Sequence, residues 1–372
     1  MSVPHDIDYS KPVLVTGASG FVGSHIVRLL VKQGRNVRVL LRKNSNKKAL
    51  EGLPVKIFYG GVLDKSTLEP AIQGCDTVFY SVVDPRFWLS DPSPLYRNNV
   101  EGLINAMDVA LQCEIKRFVF TSTMGTLGIN PDGLVTEDIE FNWHDMAPPY
   151  IRARLQAEDT LLRYCRENGL PAIALCIANT YGPGDFQPTP HGKMLWDVAC
   201  GRVRFALNAG APTVDIRDAA QAALLAEKHG NVGERYIIAN EFISNRDFYS
   251  LAAEEGGHKP IRVVPLWLGY GLARVIERVL KLCRKKDFLI RTDAVFLSNV
   301  FQKLDNSKAR NQLHWQPRPI KETVRDAVAW YGGDASVLDS ELDDASSPKK
   351  TPTGGGIDYP SRRETKISLK LD

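Results

Sequence analysis

Glycines stand at Gly17, Gly20 and Gly23, directly after the apolar run 13–15 and within a stretch carrying apolar residues at Val22, Ile26, Leu29 and Leu30. The first spacing is GxxGxxG; the second, i, i+4, i+7, i+8, is one face of a helix. A glycine turn between strand and helix leaves amide N–H groups and the positive end of the helix dipole facing outward, where phosphate binds. The first glycine permits the turn, the second lets backbone approach a pyrophosphate, and the third lets helix and strand pack closely. Gly17, Ala18, Ser19, Gly20, Phe21, Val22 and Gly23 are therefore candidate contacts to a dinucleotide; the alternative is a glycine-rich turn with no ligand. About 20 residues further on, where an acid would hold a ribose 2′-hydroxyl and an arginine a 2′-phosphate, the chain reads Leu41-Arg42-Lys43. Two cations and no acid predict NADP, with NAD as the alternative. Arg42 is the better phosphate ligand because its guanidinium binds in bidentate fashion. Lys47 or Lys48 would add charge, unless the stretch is simply a solvated basic loop.

Such a turn needs a sheet behind it. Strands are expected over 13–15, 37–41, 55–59, 76–83, 117–122 and 172–177, alternating with helices that include 68–72, 99–111 and 150–168. Repeated βαβ units with apolar, β-branched strands predict an α/β fold: a Rossmann-type doubly wound parallel sheet, covered on both faces, with a smaller C-terminal substrate-binding lobe. The expected division is a dinucleotide-binding domain over 11–180, a lobe over 181–332 whose chain returns to the first domain around 212–240, and a disordered tail over 333–372. In the tail Asp, Ser, Pro, Gly and Lys dominate and Tyr359 is the only aromatic residue; such a segment cannot bury enough apolar surface to offset its ordering entropy. Within the lobe, Leu266, Trp267, Leu272, Val275, Ile276, Val279 and Leu280 alternate with Arg274, Arg278, Lys281, Arg284, Lys285 and Lys286. This amphipathic basic helix either caps a pocket or makes peripheral membrane contact through 266–286.

The 372 residues carry 47 basic and 43 acidic side chains. That balance excludes a strongly basic nucleic-acid binder and a strongly acidic solvating protein. The tail holds six of the bases and eight of the acids, so residues 1–332 are more basic, at a net +6. Six cysteines stand singly without metal-ligand spacing, which predicts free thiols and no metal site. The start of the chain lacks a charged-then-apolar leader pattern, and the longest near-apolar run, 263–273, is well short of a spanning helix. A cytoplasmic protein is expected.

Five motifs in order then resemble the extended short-chain dehydrogenase/reductase family: TGASGFVG at 16–23, GVLD at 61–64, FTSTMGTLG at 120–128, YIRARLQAE at 150–158 and NTYGPGD at 179–185. GERYIIAN at 233–240 is similar to a later strand of that family. The resemblance covers about 12–332 and is nearest the 3β-hydroxysteroid dehydrogenase and dihydroflavonol reductase-like branch. It implies a catalytic Thr123 that polarises a substrate carbonyl, and Tyr150 as the group that transfers the proton. The family's lysine four residues after the tyrosine is here Arg154. A phenol starts near pKa 10 and needs a cation beside it; Arg154 is on the same helix face and supplies charge, but it is planar and never deprotonated, so relay through an ammonium is altered. The resemblance also places Val62, Leu63, Ser81, Val82, Thr121, Ala178 and Asn179 beside the cofactor, with Val62 where the family has an adenine-binding Asp. Asn99 is a helix cap, a structural hydrogen bond or a family site residue.

Phe87, Trp88, Trp143, Trp196 and Trp267 lie in the variable segments and either line the pocket, which would suit an apolar substrate, or pack in the core. His144 and His191 carry no assigned role, and Asp215 is expected to start a helix. Three readings follow. The first is an NADP(H)-dependent oxidoreductase interconverting a secondary alcohol and a ketone on a sterol-, flavonoid- or aryl-ketone-like small molecule. The second is a sugar-nucleotide epimerase or dehydratase with retained cofactor; Asn179 leans toward it and the cation-poor loop 186–191 against it. The third is an NADP-binding protein impaired by Arg154. Relatives of this kind often dimerise through the tyrosine-bearing helix, which makes a homodimer an expectation.

Overall fold

Both cofactor glycines and the tyrosine helix depend on one sheet for their positions. In the computed structural model, which describes residues 7–283 and 292–339, the first half of the chain alternates as the pattern predicts. Its elements are β1 (Val13–Thr16), α1 (Phe21–Lys32), β2 (Val37–Leu41), β3 (Lys56–Tyr59), α2 (Lys65–Ile72), β4 (Thr77–Tyr80), α3 (Ser93–Tyr96), α4 (Gly102–Gln112), β5 (Arg117–Thr123), β6 (Leu134–Val135), α5 (Pro149–Asn168) and β7 (Ala172–Ile177). The second half is less regular: β8 (Asn179–Tyr181), α6 (Pro190–Ala199), β9 (Phe205–Leu207), β10 (Gly210–Asp215), α7 (Ile216–His229), β11 (Arg235–Ile238), β12 (Glu241–Ser244), α8 (Asn245–Glu255), β13 (Arg262–Val264), α9 (Leu266–Leu282), α10 (Thr292–Val300), β14 (Lys303–Leu304), α11 (Ser307–Leu313), α12 (Ile320–Tyr331) and α13 (Ser336–Asp339).

Seven parallel strands form the main sheet in the order β11-β7-β5-β4-β1-β2-β3. Helices α1 and α7 pack on one face, α2, α4 and α5 on the other, each over its own apolar core. The strands are apolar on both sides because both faces are covered. Strand order reverses between β1 and β4, and a crevice opens at the carboxyl ends of such a pair. The lobe is built on the sheet β12-β10-β8 and the pair β13–β9, with α6, α8 and α12 around Leu195, Val198, Phe248 and Val324.

The chain returns to the main sheet more than once. Helix α7 and strand β11 do so, and α11 follows: Trp315, fully buried beyond it, donates Nε1–H to the Asp218 carbonyl at 2.9 Å. Truncating that indole leaves a cavity and an unpaired carbonyl, so Trp315→Ala is expected to cost about 3–5 kcal/mol, read as a lowered midpoint in urea unfolding. Asp215 caps α7, its carboxylate accepting from the Arg217 N–H at 2.8 Å, as expected of a helix start. The change of composition at Gly333 does not end the ordered chain: α13 follows, and Leu338 is buried against Trp330 and Tyr331. The remainder of the expected tail, 340–372, and Arg284, Lys285 and Lys286 of the basic segment lie outside the described residues. No helix among the described residues is long and apolar enough to cross a membrane.

Candidate active site

The crevice at the β1/β4 reversal is the floor of a cavity of about 1230 Å³. That exceeds the roughly 300–1,000 Å³ of a site for one small molecule, and the walls divide into two kinds. At one end lie the glycine turn, Arg42, Val62, Leu63, Ser81 and Val82; at the other lie side chains of the lobe and of α10. Thr121, Thr123, Tyr150, Arg154, Ala178 and Asn179 stand between them.

The glycine turn is a close fit to its surroundings. Gly17 has φ +68°, and a Cβ built there would meet the Ser81 carbonyl oxygen at 2.4 Å. A Cβ on Gly23 would meet the Gly17 carbonyl oxygen at 2.3 Å. β1, β4 and the start of α1 are thus drawn together to a distance only glycine allows. Ser19, Gly20, Phe21, Val22 and Gly23 all line the cavity with Gly17, whereas Ala18, expected among them, turns its side chain into the core and is fully buried. Arg42 lies exposed on the cavity wall, while Lys47 is held away from it by a 2.7 Å hydrogen bond to the Tyr59 hydroxyl. Asp64, the acid of the GVLD motif, caps α2 by accepting from Ser66 N–H at 3.0 Å, which leaves apolar Val62 on the wall.

Helix α5 starts with Pro149 at its first position, where the missing N–H costs nothing. Tyr150 therefore falls in the first turn and Arg154 one turn later, on the same side. The Tyr150 phenol is half-buried; burial raises its pKa, the Arg154 guanidinium pulls it down, and Asp84 raises it again. On β5, Thr123 Oγ1 accepts from Gly125 N–H at 3.2 Å. Thr123 itself lines the cavity. Arg154 is 1% exposed, donates Nη2–H to the Thr121 carbonyl at 2.6 Å, and lies 5.0 Å over the Phe120 ring. Nε and Nη1 have no hydrogen-bond partner. A buried guanidinium with two orphaned nitrogens is costly unless a ligand in the adjoining cavity accepts from them. The glycine turn and these donors are what a nicotinamide dinucleotide requires: backbone amides for its pyrophosphate and N–H donors for its ribose hydroxyls. The carboxylate one turn further on does not satisfy Arg154; Glu158 accepts instead from Ser122, from Thr126 Oγ1 at 2.9 Å and from Arg235 at 3.1 Å.

Several residues of the site left no mark in the sequence pattern. The turn Arg97–Glu101 is a π-helical insertion between α3 and α4, a feature common at functional sites. It sends Asn99 to the backbone of Asp84, accepting from its N–H at 2.9 Å and donating to its carbonyl at 3.2 Å, so the role of Asn99 is structural. It also sends Asn98 to the Asp84 carboxylate at 2.8 Å, which Arg86 Nε binds as well, at 2.8 Å. Burial raises the Asp84 pKa, but the Arg86 and Asn98 hydrogen bonds outweigh it and hold the carboxyl below the ordinary range. Asp84, Arg86 and Asn98 all line the cavity beside Tyr150. At the lobe end the walls are Met194, Phe248, Tyr249, Leu297 and Phe301, with His191 among them. Of the aromatic residues flagged in the variable segments, Phe87 and Trp88 line the cavity. Trp143 is buried with Phe141 and Phe296, Trp196 stacks on Tyr331, and Trp267 is 73% exposed.

Comparison with known proteins agrees with this geometry. The model of the NAD dependent epimerase/dehydratase family matches residues 13–239. A Synechocystis sp. protein named for a dihydroflavonol 4-reductase is 32% identical over 337 residues, 89% of this chain and 97% of its own length. Sterol demethylase protein B of Methylococcus capsulatus is 31% identical, covering 86% of this chain and 97% of that protein. Among solved structures, gox2253 superposes with a TM-score of 0.77 at 30% identity, covering 87% of this chain and 98% of that one. UDP-glucose 4-epimerase of Thermotoga maritima superposes at 0.71 with 22% identity, over 86% of this chain and 98% of its own, which speaks to fold alone. Carrying this sheet, this glycine turn and these relatives, the chain belongs to the NAD dependent epimerase/dehydratase family of extended short-chain dehydrogenase/reductases.

Proposed function

We propose that the protein is an NADP(H)-dependent oxidoreductase that interconverts a secondary alcohol and a ketone on an apolar substrate. The observation that carries the reading is the convergence of Tyr150, Thr123 and Arg154, a buried guanidinium with two unpartnered nitrogens, on one cavity whose far end is aromatic and aliphatic. The chemistry a bound nicotinamide supplies is hydride transfer to or from carbon. The chain's own groups manage the oxygen. Thr123 Oγ–H hydrogen-bonds it, and Tyr150 Oη gives it a proton in reduction or takes one in oxidation. Arg154 keeps positive charge beside the phenol and offers its two orphaned nitrogens to ribose hydroxyls. Arg42 receives a 2′-phosphate. Among the described residues no lysine lines the cavity, and Arg86 there is paired with Asp84, which disfavours a nucleoside diphosphate at the substrate end. The name of one relative, sterol demethylase protein B, suits an apolar substrate as well.

Fluorescence titration of NADPH against NADH tests the cofactor half. NADPH is expected to bind at least about tenfold more tightly, and Arg42→Ser to remove about 1.5–3 kcal/mol of that preference; equal affinities for both cofactors in the wild type overturn it. NADPH oxidation with a panel of sterol, aryl and aliphatic ketones tests the rest. Tight NADPH binding with no turnover on any ketone would identify a cofactor-binding protein instead.

A further inference from the structure

Helix α9 is apolar on both sides. Ala273 is 1% exposed on its inner face, with Ile276 and Leu280 half-buried beside it. On the outer face Trp267, Leu268, Leu272, Val275, Val279 and Leu282 are 45–86% exposed. Residues 268, 272, 275, 279 and 282 follow one another by steps of three and four, so they form one stripe, roughly 20 Å long. An ordinary surface helix carries charge on that side. Here the charges form the border: Arg274 and Arg278 are exposed along one edge, and Lys259 and Arg262 are exposed just ahead of the helix. Residues 259–283 hold five bases and a single acid, Glu277. That acid is already engaged, accepting from the Thr292 N–H at 2.7 Å and its hydroxyl at 3.1 Å.

We propose that α9 docks on an anionic membrane surface, lying in the bilayer plane with its outer stripe in the headgroup–acyl boundary. An apolar face bordered by arginines, with a tryptophan at one end, is the composition of such helices. Arg274 and Arg278 bury their stems along the boundary and keep their guanidinium groups at the headgroups. The same charge disfavours a second copy of the chain as the occupant: a two-fold pairing would bring arginine rows together with no free carboxylate among the described residues of the helix to meet them. Helix α9 packs on α10, fastened through Glu277 and Thr292, and α10 lends Ala294, Leu297 and Ser298 to the cavity wall. Docking thus brings the substrate end of the cavity next to a lipid phase, a source of apolar substrate. The docking itself does not depend on the reductase reading, and the experiment uses no cofactor or substrate.

The full chain is expected to cosediment with vesicles of phosphatidylcholine and phosphatidylserine (about 3:1), less with phosphatidylcholine alone, and less as salt rises. Tryptophan emission should move to the blue on binding, and Trp267→Phe should remove that shift. Leu272→Glu with Val275→Glu is expected to weaken vesicle binding by about tenfold or more with an unchanged unfolding midpoint. Should that variant fail to fold, Arg274→Glu with Arg278→Glu is expected to abolish the preference for anionic vesicles. The proposal is overturned by a wild-type chain that stays in the supernatant with both vesicle types, or by a folded glutamate variant that sediments as the wild type does. A wild-type dimer that the glutamate variant splits would equally overturn it, identifying the face as an interface between copies.

Discussion

Tyr150→Phe is expected to lower ketone reduction by about 10²–10⁴-fold, equivalent to about 3–5 kcal/mol of barrier. The unfolding midpoint and the NADPH affinity should stay near wild type. The substitution removes one oxygen from a half-buried ring at the first turn of α5 and leaves Pro149, Arg154 and the cavity wall unchanged. A loss of turnover with equal loss of cofactor binding would mean that the phenol serves structure, and wild-type turnover would remove Tyr150 from the chemistry. The direction of its pKa adds a second check. Burial raises the phenol and the Arg154 guanidinium opposes that, so at neutral pH the group is protonated and ready to donate. Reduction should therefore be flat through neutrality and fall as the phenol ionises at high pH. Alcohol oxidation, which needs the phenolate as base, should rise over the same range. Arg154→Met removes the opposing charge, and both limbs should move to higher pH. Stationary limbs would show that the guanidinium does not act on Tyr150.

Gly23→Ala is expected to weaken NADPH binding at least about tenfold and to cost about 1–3 kcal/mol of stability. The new methyl would stand 2.3 Å from the Gly17 carbonyl oxygen and 2.8 Å from its carbon. Those are backbone atoms, which cannot rotate aside as a side chain would, so α1 must move away from the turn whose amides it aligns. Gly20→Ala, with its nearest neighbour at 3.2 Å, should be milder. Gly34→Ala is the control: it has φ +71° with nothing within 4 Å. It should cost stability through backbone strain and leave cofactor affinity unchanged. Equal affinity in wild type and Gly23→Ala would show that the close approach of helix and strand is not what forms the phosphate site.

The first half of the fold was legible because its signals are local. Strands of four to seven residues with apolar β-branched character, glycine turns and helices of regular period declare themselves within one βαβ unit. The ordered motifs then placed Thr123, Tyr150, Arg154 and many of their neighbours on the cavity wall. Ala18 shows the limit of a motif read residue by residue: its neighbours face the cavity, but its own side chain points into the sheet core. The aromatic residues show the limit of composition. Nothing in sequence separates Trp88, on the cavity wall, from Trp143 in a core cluster or Trp267 in solvent. Leu338 was unreadable for a similar reason, since the cluster it joins with Trp330 and Tyr331 is completed by Phe186 and Trp196, far away in the sequence.

By itself, the sequence determined the doubly wound parallel sheet, the glycine turn that opens α1, and the tyrosine and arginine one helical turn apart. Each rests on spacing within a single element or on two elements joined by a short turn. The tertiary structure decided the rest. It buried a guanidinium with two unpartnered nitrogens beside the cavity, set Asp84, Arg86 and Asn98 beside Tyr150 through a π-helical turn, and walled the lobe end with side chains from α8 and α10. It also left the outer stripe of α9 uncovered. These depend on contacts between separate elements, where no periodicity reaches, and on burial, which is settled only when all the layers are in place.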